Sequence, residues 1–554
     1  MTVEWRQPCR GRCTAVRLNG RMSTEPASTP ERVVSAVDDA RAAELLERLR
    51  TDLGAASYTV AAVDALWGPA PAAALHRGER VPARRALAAQ RVAPGGLPAR
   101  AVLAALFVLG DDVEVSELEQ ALPALGVAGA IELGLVTVDR GGASARAALD
   151  LRPYGFTDAR GGGEWWIISD VGELMLDGAL GEQHVLGVGG ASMTLSGLML
   201  PTPTATVLDL GTGCGIQAMH ASRFAERVVA TDISERALMI ASLNLALNGI
   251  EGVELRLGSL FEPVAGERFD RIVSNPPFVI TPRAEGVPEY DYRDGGMVGD
   301  ALVEAVVGGM HEHLQPGEIA QLLGNWEYRA EEQLDALERV GGWAGALDHW
   351  VVEREVQHVT EYAETWIRDG GTKPGTAEFD RLYDVWLDDF AARGVESVGF
   401  GYVLLRRADA AASAPRRFAR LERLHGPLGS NAEGLGAHLA ECLAARDRQA
   451  QLDDAALAAA RFVTAGDVTE ERHYWPGDDD PTAMLLRQGG GFCRVITLDT
   501  GLAALVGACD GELAIGAIVG ALAELLDVDE AALARELLPA VRTLVDDGLL
   551  RFAE

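Results

Sequence analysis

The chain has 554 residues, with 82 acidic against 49 basic side chains and a formal charge of −33. That length predicts about three to five domains, and 48% hydrophobic with 24% charged residues is a globular rather than a disordered composition. Six scattered cysteines exclude a disulfide scaffold and fit a reducing cytoplasm, no uncharged apolar run reaches the ~18 residues of a membrane helix, and a polyanionic partner would have to meet a local basic patch.

Residues 1–32 hold an Arg-rich, aperiodic stretch with no apolar h-region, so they read as a disordered extension rather than a secretory signal. Cys9 and Cys13 within it have no second pair at zinc-finger spacing. Residues 33–151 read as amphipathic helices followed by a strand at Leu135–Val138 and a returning run at Ala145–Leu151, a winged-helix-like order. Glu164–Ser169, with Trp165 and Trp166, reads as a buried strand. From 205 to 330 strands and helices alternate: strands at Thr206–Leu210, Arg227–Thr231, Val253–Leu257, Arg271–Ser274 and Glu318–Leu323, with a helix capped by Ser234 and stopped at Gly249. Such alternation predicts a parallel sheet with helices on both faces. Residues 327–396 read as a helical insertion and Gly399–Arg406 as a strand returning to the same sheet, which closes a unit over 152–407. Residues 408–430 read as a linker. Residues 431–554 carry 22 acidic against 9 basic side chains and end in helices and a strand, a second winged-helix-like unit whose charge argues against an RNA clamp.

The chemistry concentrates in two places. Val207-Leu208-Asp209-Leu210 runs into Gly211-Thr212-Gly213-Cys214-Gly215, where glycines let the backbone turn sharply and approach a ligand closely. Asp232 ends the next strand, 21 residues beyond Gly211, where a carboxylate can accept hydrogen bonds from ribose hydroxyls. The second place is Asn275-Pro276-Pro277-Phe278, at the end of another strand, in the crevice where α/β proteins bind ligands. The prolines fix the Asn275 amide and the Pro276 carbonyl as acceptors, and Phe278 offers a flat face for stacking.

These two motifs, in this order, resemble the class I S-adenosylmethionine-dependent methyltransferases over about residues 184–326. The resemblance implies that Asp209, Gly211, Thr212, Gly213, Gly215, Asp232, Ile233, Ser259, Leu260 and Asn275 hold S-adenosylmethionine. It implies that Asn275, Pro276, Pro277 and Phe278 hold a planar nitrogen and favour its pyramidal form, so that orientation and electrostatics drive transfer. With Gly258-Ser259-Leu260-Phe261, the chain is similar to the HemK/PrmC type, in particular its eukaryotic/archaeal PrmC-related branch of protein-glutamine methyltransferases. It departs where family members often carry Asp and this chain has Ser259, leaving Leu260 and Phe261 to sandwich the adenine. The loop Leu186–Ser192 is a candidate cofactor contact, and Tyr292-Arg293-Asp294-Gly295-Gly296 a candidate substrate lid with Arg293 as anchor. His311 and His313 face different ways on a helix, Cys214 fits the turn as a small residue, and Asp478–Asp480 sits in a Pro/Gly loop, so no metal is expected.

The fold expected is therefore α/β, a Rossmann-like methyltransferase core flanked by mainly helical, winged-helix-like units. The leading functional expectation is a cytoplasmic N-methyltransferase acting on a protein glutamine, for instance of a translation factor, with no membrane partner. A second is methylation of an exocyclic base amine in structured ribosomal or transfer RNA. A third is a regulatory protein that senses the cofactor.

Overall fold

A computed structural model describes residues 39–91, 97–172, 175, 181, 183–288, 293, 295–330, 332–409 and 418–553. The extension with Cys9 and Cys13 lies outside the described residues, as do Tyr292, Asp294 and part of the expected linker.

An eight-stranded sheet organises the molecule. Its strands are β3 (Thr204–Leu210), β4 (Ala225–Asp232), β5 (Val253–Leu257), β6 (Phe269–Ser274), β7 (Leu314–Arg329), β8 (Asp348–His358), β9 (Val395–Arg406) and β10 (Ala419–Arg423). They lie in the order β10-β8-β9-β7-β6-β3-β4-β5. β9 pairs antiparallel with both neighbours, and the other pairings are parallel. All the carboxyl ends except that of β9 therefore open on one edge, with the strand order turning at β3 and β6, the place where such sheets bind ligands.

Three expectations about boundaries change here. The segment 327–396 is not only a helical insertion: besides helices it contains β8, which forms ten pairs with β9 as the second strand from the sheet edge. Only Trp350–Val352 of β8 is an apolar buried run, and the charges around it hide the strand from a hydrophobic pattern. Residues 408–430 are not only a linker, because they supply the edge strand β10. The 431 boundary falls just before α9 (Leu435–Ala450), which shares its core with the central sheet: Leu435, Leu439 and Leu443 pack with Leu323, Val352 and Leu404. The approach is so close that a Cβ on Gly436 would stand 1.9 Å from the Met199 carbonyl oxygen.

Ahead of the sheet, β1 (Leu149–Asp158) and β2 (Gly161–Asp170) form a hairpin that crosses the expected boundary at 151/152. Residues 39–148 begin with α1 (Asp39–Ala55) and continue through short helices to three short strands ordered Val113–Glu114, Ser144–Ala147, Val136–Val138. This region shares one apolar core with the hairpin and with two helices of the sheet, α3 (Ile216–Ala221) and α4 (Glu235–Leu247): Leu45, Leu49 and Leu53 belong to the same cluster as Met219, Ile240 and Leu247. Residues 452–553 close a separate core around Phe462, Leu505 and Val541, with two antiparallel three-stranded sheets. No helix among the described residues is long and apolar enough to cross a membrane.

Candidate active site

The glycine turn is built from the end of β3. Gly211, Gly213 and Gly215 take φ of 77°, 56° and 88°, a region that side chains avoid. The Gly211 and Thr212 amides donate to the Thr231 carbonyl at 3.0 and 2.9 Å, which ties the turn to β4. Asp209 is fully buried beneath it and accepts from the Thr212 hydroxyl at 2.6 Å. Burial pushes the Asp209 carboxyl up to about 7, against the Thr212 hydrogen bond, which holds it down. Thr212 itself is buried. Both residues thus brace the turn from within rather than face the crevice.

Asp232 accepts from the Gly213 amide and the Ser234 amide, both at 2.9 Å. Ile233 next to it is 65% exposed, an apolar side chain at the mouth of the crevice. Beside Gly211 and Gly213 there is open space where a Cβ would point. At the end of β5, Leu260 takes φ of 47°, and the Glu262 amide donates to the Ser259 carbonyl. One face of Phe261 is stacked on His313, 4.6 Å between centroids and 6° between planes. In the expected Leu260–Phe261 sandwich around adenine, Phe261 would offer its other face. His313 stacks on Phe261, and its Nδ1 meets the Glu267 carbonyl at 3.1 Å. Cys214 is buried, and burial pushes its thiol up to about 11, far from a thiolate nucleophile. Among the described residues no group of three or more His, Cys, Asp or Glu could hold a metal ion.

At the end of β6 the Asn275 Oδ1 is buried and accepts no hydrogen bond from the described residues. A buried acceptor without a donor costs about 1–3 kcal/mol, a cost a ligand N–H would remove. Phe278 is half-buried, and its ring stands 5.5 Å from that of Phe400 on β9. Beyond it, Val279 and Ile280 run beneath α7 (Val359–Asp369) and α8 (Ala377–Ala392), which cap this end of the sheet. The Ile280 amide donates to the Tyr362 hydroxyl at 2.9 Å, and the Asn325 Nδ2 does so at 2.7 Å. Arg293 is not a free anchor for substrate. It is buried, donates to the Trp366 carbonyl at 2.9 Å and lies 3.7 Å from Asp369, so it fastens its segment to α7.

The loop Leu186–Ser192 leads into α2 (Gly190–Leu198), and the Ser192 carbonyl accepts from Gln217 Nε2 at 2.8 Å on α3. The structure therefore brings this loop, the glycine turn, Asp232 and Asn275–Phe278 to one edge of the sheet. Two supporting residues escaped sequence reasoning. Asn244 Oδ1 accepts from the Ile168 amide at 2.7 Å, and its Nδ2 donates to the Ile168 and Cys214 carbonyls at 2.9 and 2.8 Å. Asn248 makes the same paired contact with Trp166 at 2.9 and 2.8 Å. Four-residue spacing on a helix, meeting two-residue spacing on a strand, is the signal that could have revealed them.

Residues 189–286 match the family described as methyltransferase small domain. Residues 55–148 and 445–552 match two families each described only as a domain of unknown function, DUF7059 and DUF7782. A ribosomal protein uL3 glutamine methyltransferase from Bradyrhizobium diazoefficiens is 36% identical over 158 residues, 27% of this chain and 46% of that protein. A release factor glutamine methyltransferase from Xylella fastidiosa is 37% identical over 134 residues, 22% of this chain and 48% of that one. A ribosomal protein L11 methyltransferase from Lactobacillus delbrueckii is 34% identical over 144 residues, 25% of this chain and 41% of that one. The chain spans about half the length of the curated relatives it matches. The cofactor of a methyltransferase domain of this kind is S-adenosylmethionine, and the open space at the glycine turn, the carboxylate of Asp232 beside it and the Asn275 Oδ1 without a donor among the described residues fit it and its acceptor.

Proposed function

We propose that the protein is an S-adenosylmethionine-dependent N-methyltransferase whose acceptor is a glutamine side-chain amide of a protein, such as a translation factor. The observation that carries this is the buried Asn275 Oδ1 with no donor among the described residues, at the end of β6. The relatives named as glutamine methyltransferases support it. Gly211, Gly213, Gly215, Asp232, Ile233, Ser259 and Leu260 would hold the cofactor, with Asp209 and Thr212 bracing the turn. Bound there, it supplies an electrophilic methyl group.

An amide nitrogen is a poor nucleophile because its lone pair is delocalised. Asn275 Oδ1 and the Pro276 carbonyl would accept its two N–H groups and favour the pyramidal form, and Phe278 would fix the amide plane. No strong base is needed before attack. Both flanking units are read as winged-helix-like recognition elements, and the cysteine usage supports a cytoplasmic setting.

The test uses the full chain, tritiated S-adenosylmethionine and separated release-factor and ribosomal-protein fractions as acceptors. Label released by protease digestion as side-chain N-methylglutamine is the expected result. Asn275→Ala should lower kcat by about 100-fold or more, a larger effect than any loss of cofactor affinity that calorimetry finds, since Asn275 also borders the cofactor. Label found only in nuclease-sensitive product would overturn the proposal.

A further inference from the structure

Among the described residues, the helix cover on one face of the central sheet thins beside the core formed with α2 and α9. Along β9, alternate side chains Leu404, Tyr402, Phe400 and Val398 point to that face. Leu404 lies in the core formed with α2 and α9, and Val398 in the core formed with α7 and α8. Between them Tyr402 and Phe400 are only half-buried. The floor of this stretch continues across neighbouring strands. On one side Phe278 stands 5.5 Å from Phe400. Phe400 stands 6.5 Å from Tyr402, with planes at 88°. On the other side the Arg354 guanidinium of β8 lies 5.9 Å from the Tyr402 ring.

We propose that this groove takes the polypeptide flanking the methylated residue in extended form, with Phe400 and Tyr402 as specificity-determining residues. The proposal rests on the glutamine reading above, and three observations carry it further. The groove is continuous with Phe278, so a chain whose amide sits at Asn275 runs directly onto it. Same-face side chains of an extended peptide recur about every 6.7 Å, close to the ring spacings of 5.5 and 6.5 Å. The charge suits a polypeptide better than a nucleic acid. Arg354 already donates to the Leu424 and Gly426 carbonyls, while Glu355 and Glu361 stand exposed on the adjoining strand and helix. A phosphate backbone needs unspent cations and finds carboxylates.

The experiment measures methyl transfer by the full chain to two end-blocked random peptide libraries with glutamine at the centre, three and thirteen residues long. Naked ribosomal RNA fragments serve as a third acceptor. The expected wild-type result is a kcat/KM for the longer library at least about tenfold above that for the shorter. Phe400→Ala combined with Tyr402→Ala should erase that advantage through KM. Phe400→Tyr combined with Tyr402→Phe should restore it, which a merely structural role would not require. Variants that bind S-adenosylmethionine normally and keep the length advantage overturn the groove alone. A wild type that methylates both lengths equally does so too. A wild type that labels RNA but neither library overturns the glutamine reading, and the polypeptide occupant with it.

Discussion

Residues 39–148 share one apolar core with α3 and α4 of the catalytic sheet, whereas residues 452–553 close a core of their own. The second region meets the sheet through Phe492, whose ring stands 5.8 Å from that of Trp350, and through a set of ion pairs. Glu422 accepts from Arg494 in two bonds of 2.8 Å, Asp547 takes Arg420 and Arg494, and Arg446 reaches Asp546 at 2.6 Å. Burial works to raise the Glu422 carboxyl, but Arg494 and Arg420 hold it down to about 2. An apolar seam has no stable exposed form, since its area becomes water-facing when the partner leaves. An ionic seam exposes groups that water solvates well. The amino-terminal region is thus part of the catalytic body, and the carboxy-terminal one is a unit attached to it.

The largest expected effect comes from deletion. A chain lacking residues 1–148 should give no soluble protein with a cooperative thermal transition. One lacking residues 452–554 should keep a transition and bind S-adenosylmethionine by calorimetry. Equal behaviour of the two truncations would erase the contrast. Next is Asn244→Ala, which removes three buried hydrogen bonds between α4, the hairpin and the glycine turn. A loss of about 4 kcal/mol in urea unfolding is expected, because backbone groups of Ile168 and Cys214 are left without partners.

Acid should separate the seams in order. His220 on α3 is buried against Tyr154, Phe156 and Trp165 of the hairpin, and burial lowers its imidazole to about 4. Between about pH 6.5 and 4 the unfolded chain binds this proton and the folded one does not. Stability therefore falls by up to about 3 kcal/mol as pH drops through that window. Glu422, with a lowered folded value, keeps its contribution until pH falls below the ordinary carboxylate range toward 2. His220→Gln should flatten the upper window in thermal scans and leave the lower one in place. Asp209, raised to about 7, opposes His220 in sign, so the comparison is made between variant and parent. The smallest effect belongs to Arg50, which caps α4 through the Leu247 carbonyl at 2.8 Å and the Ala246 carbonyl at 2.6 Å. Arg50→Ala should cost about 1 kcal/mol in the same unfolding measurement.

The parallel half of the sheet was legible because β3, β4 and β6 hold short apolar runs and β5 alternates apolar with charged residues, all separated by helix caps and glycines. β8 was not, because Glu353 sits fully buried within it. That carboxylate accepts from Trp326 at 2.9 Å, Tyr328 at 2.5 Å and His425 at 3.0 Å, partners far away in sequence. The glycine turn and Asn275–Phe278 could be read because their chemistry is local to a few residues. Phe261 and Arg293 could not, since His313 and Trp366 decide what their side chains do. Phe400 and Tyr402 read only as part of a strand until the neighbouring helices showed where the cover stops.

The shared core of α1 with α3 and α4 also sets an order of events during synthesis. A ribosome adds about 5–20 residues per second, so α1 emerges roughly ten seconds or more before α4 exists to cover Leu45, Leu49 and Leu53. For that interval the newborn chain carries an apolar stripe with its partner still untranslated. Nascent-chain holdases, rather than the finished enzyme's surface chemistry, would then govern how much of this protein a cell obtains.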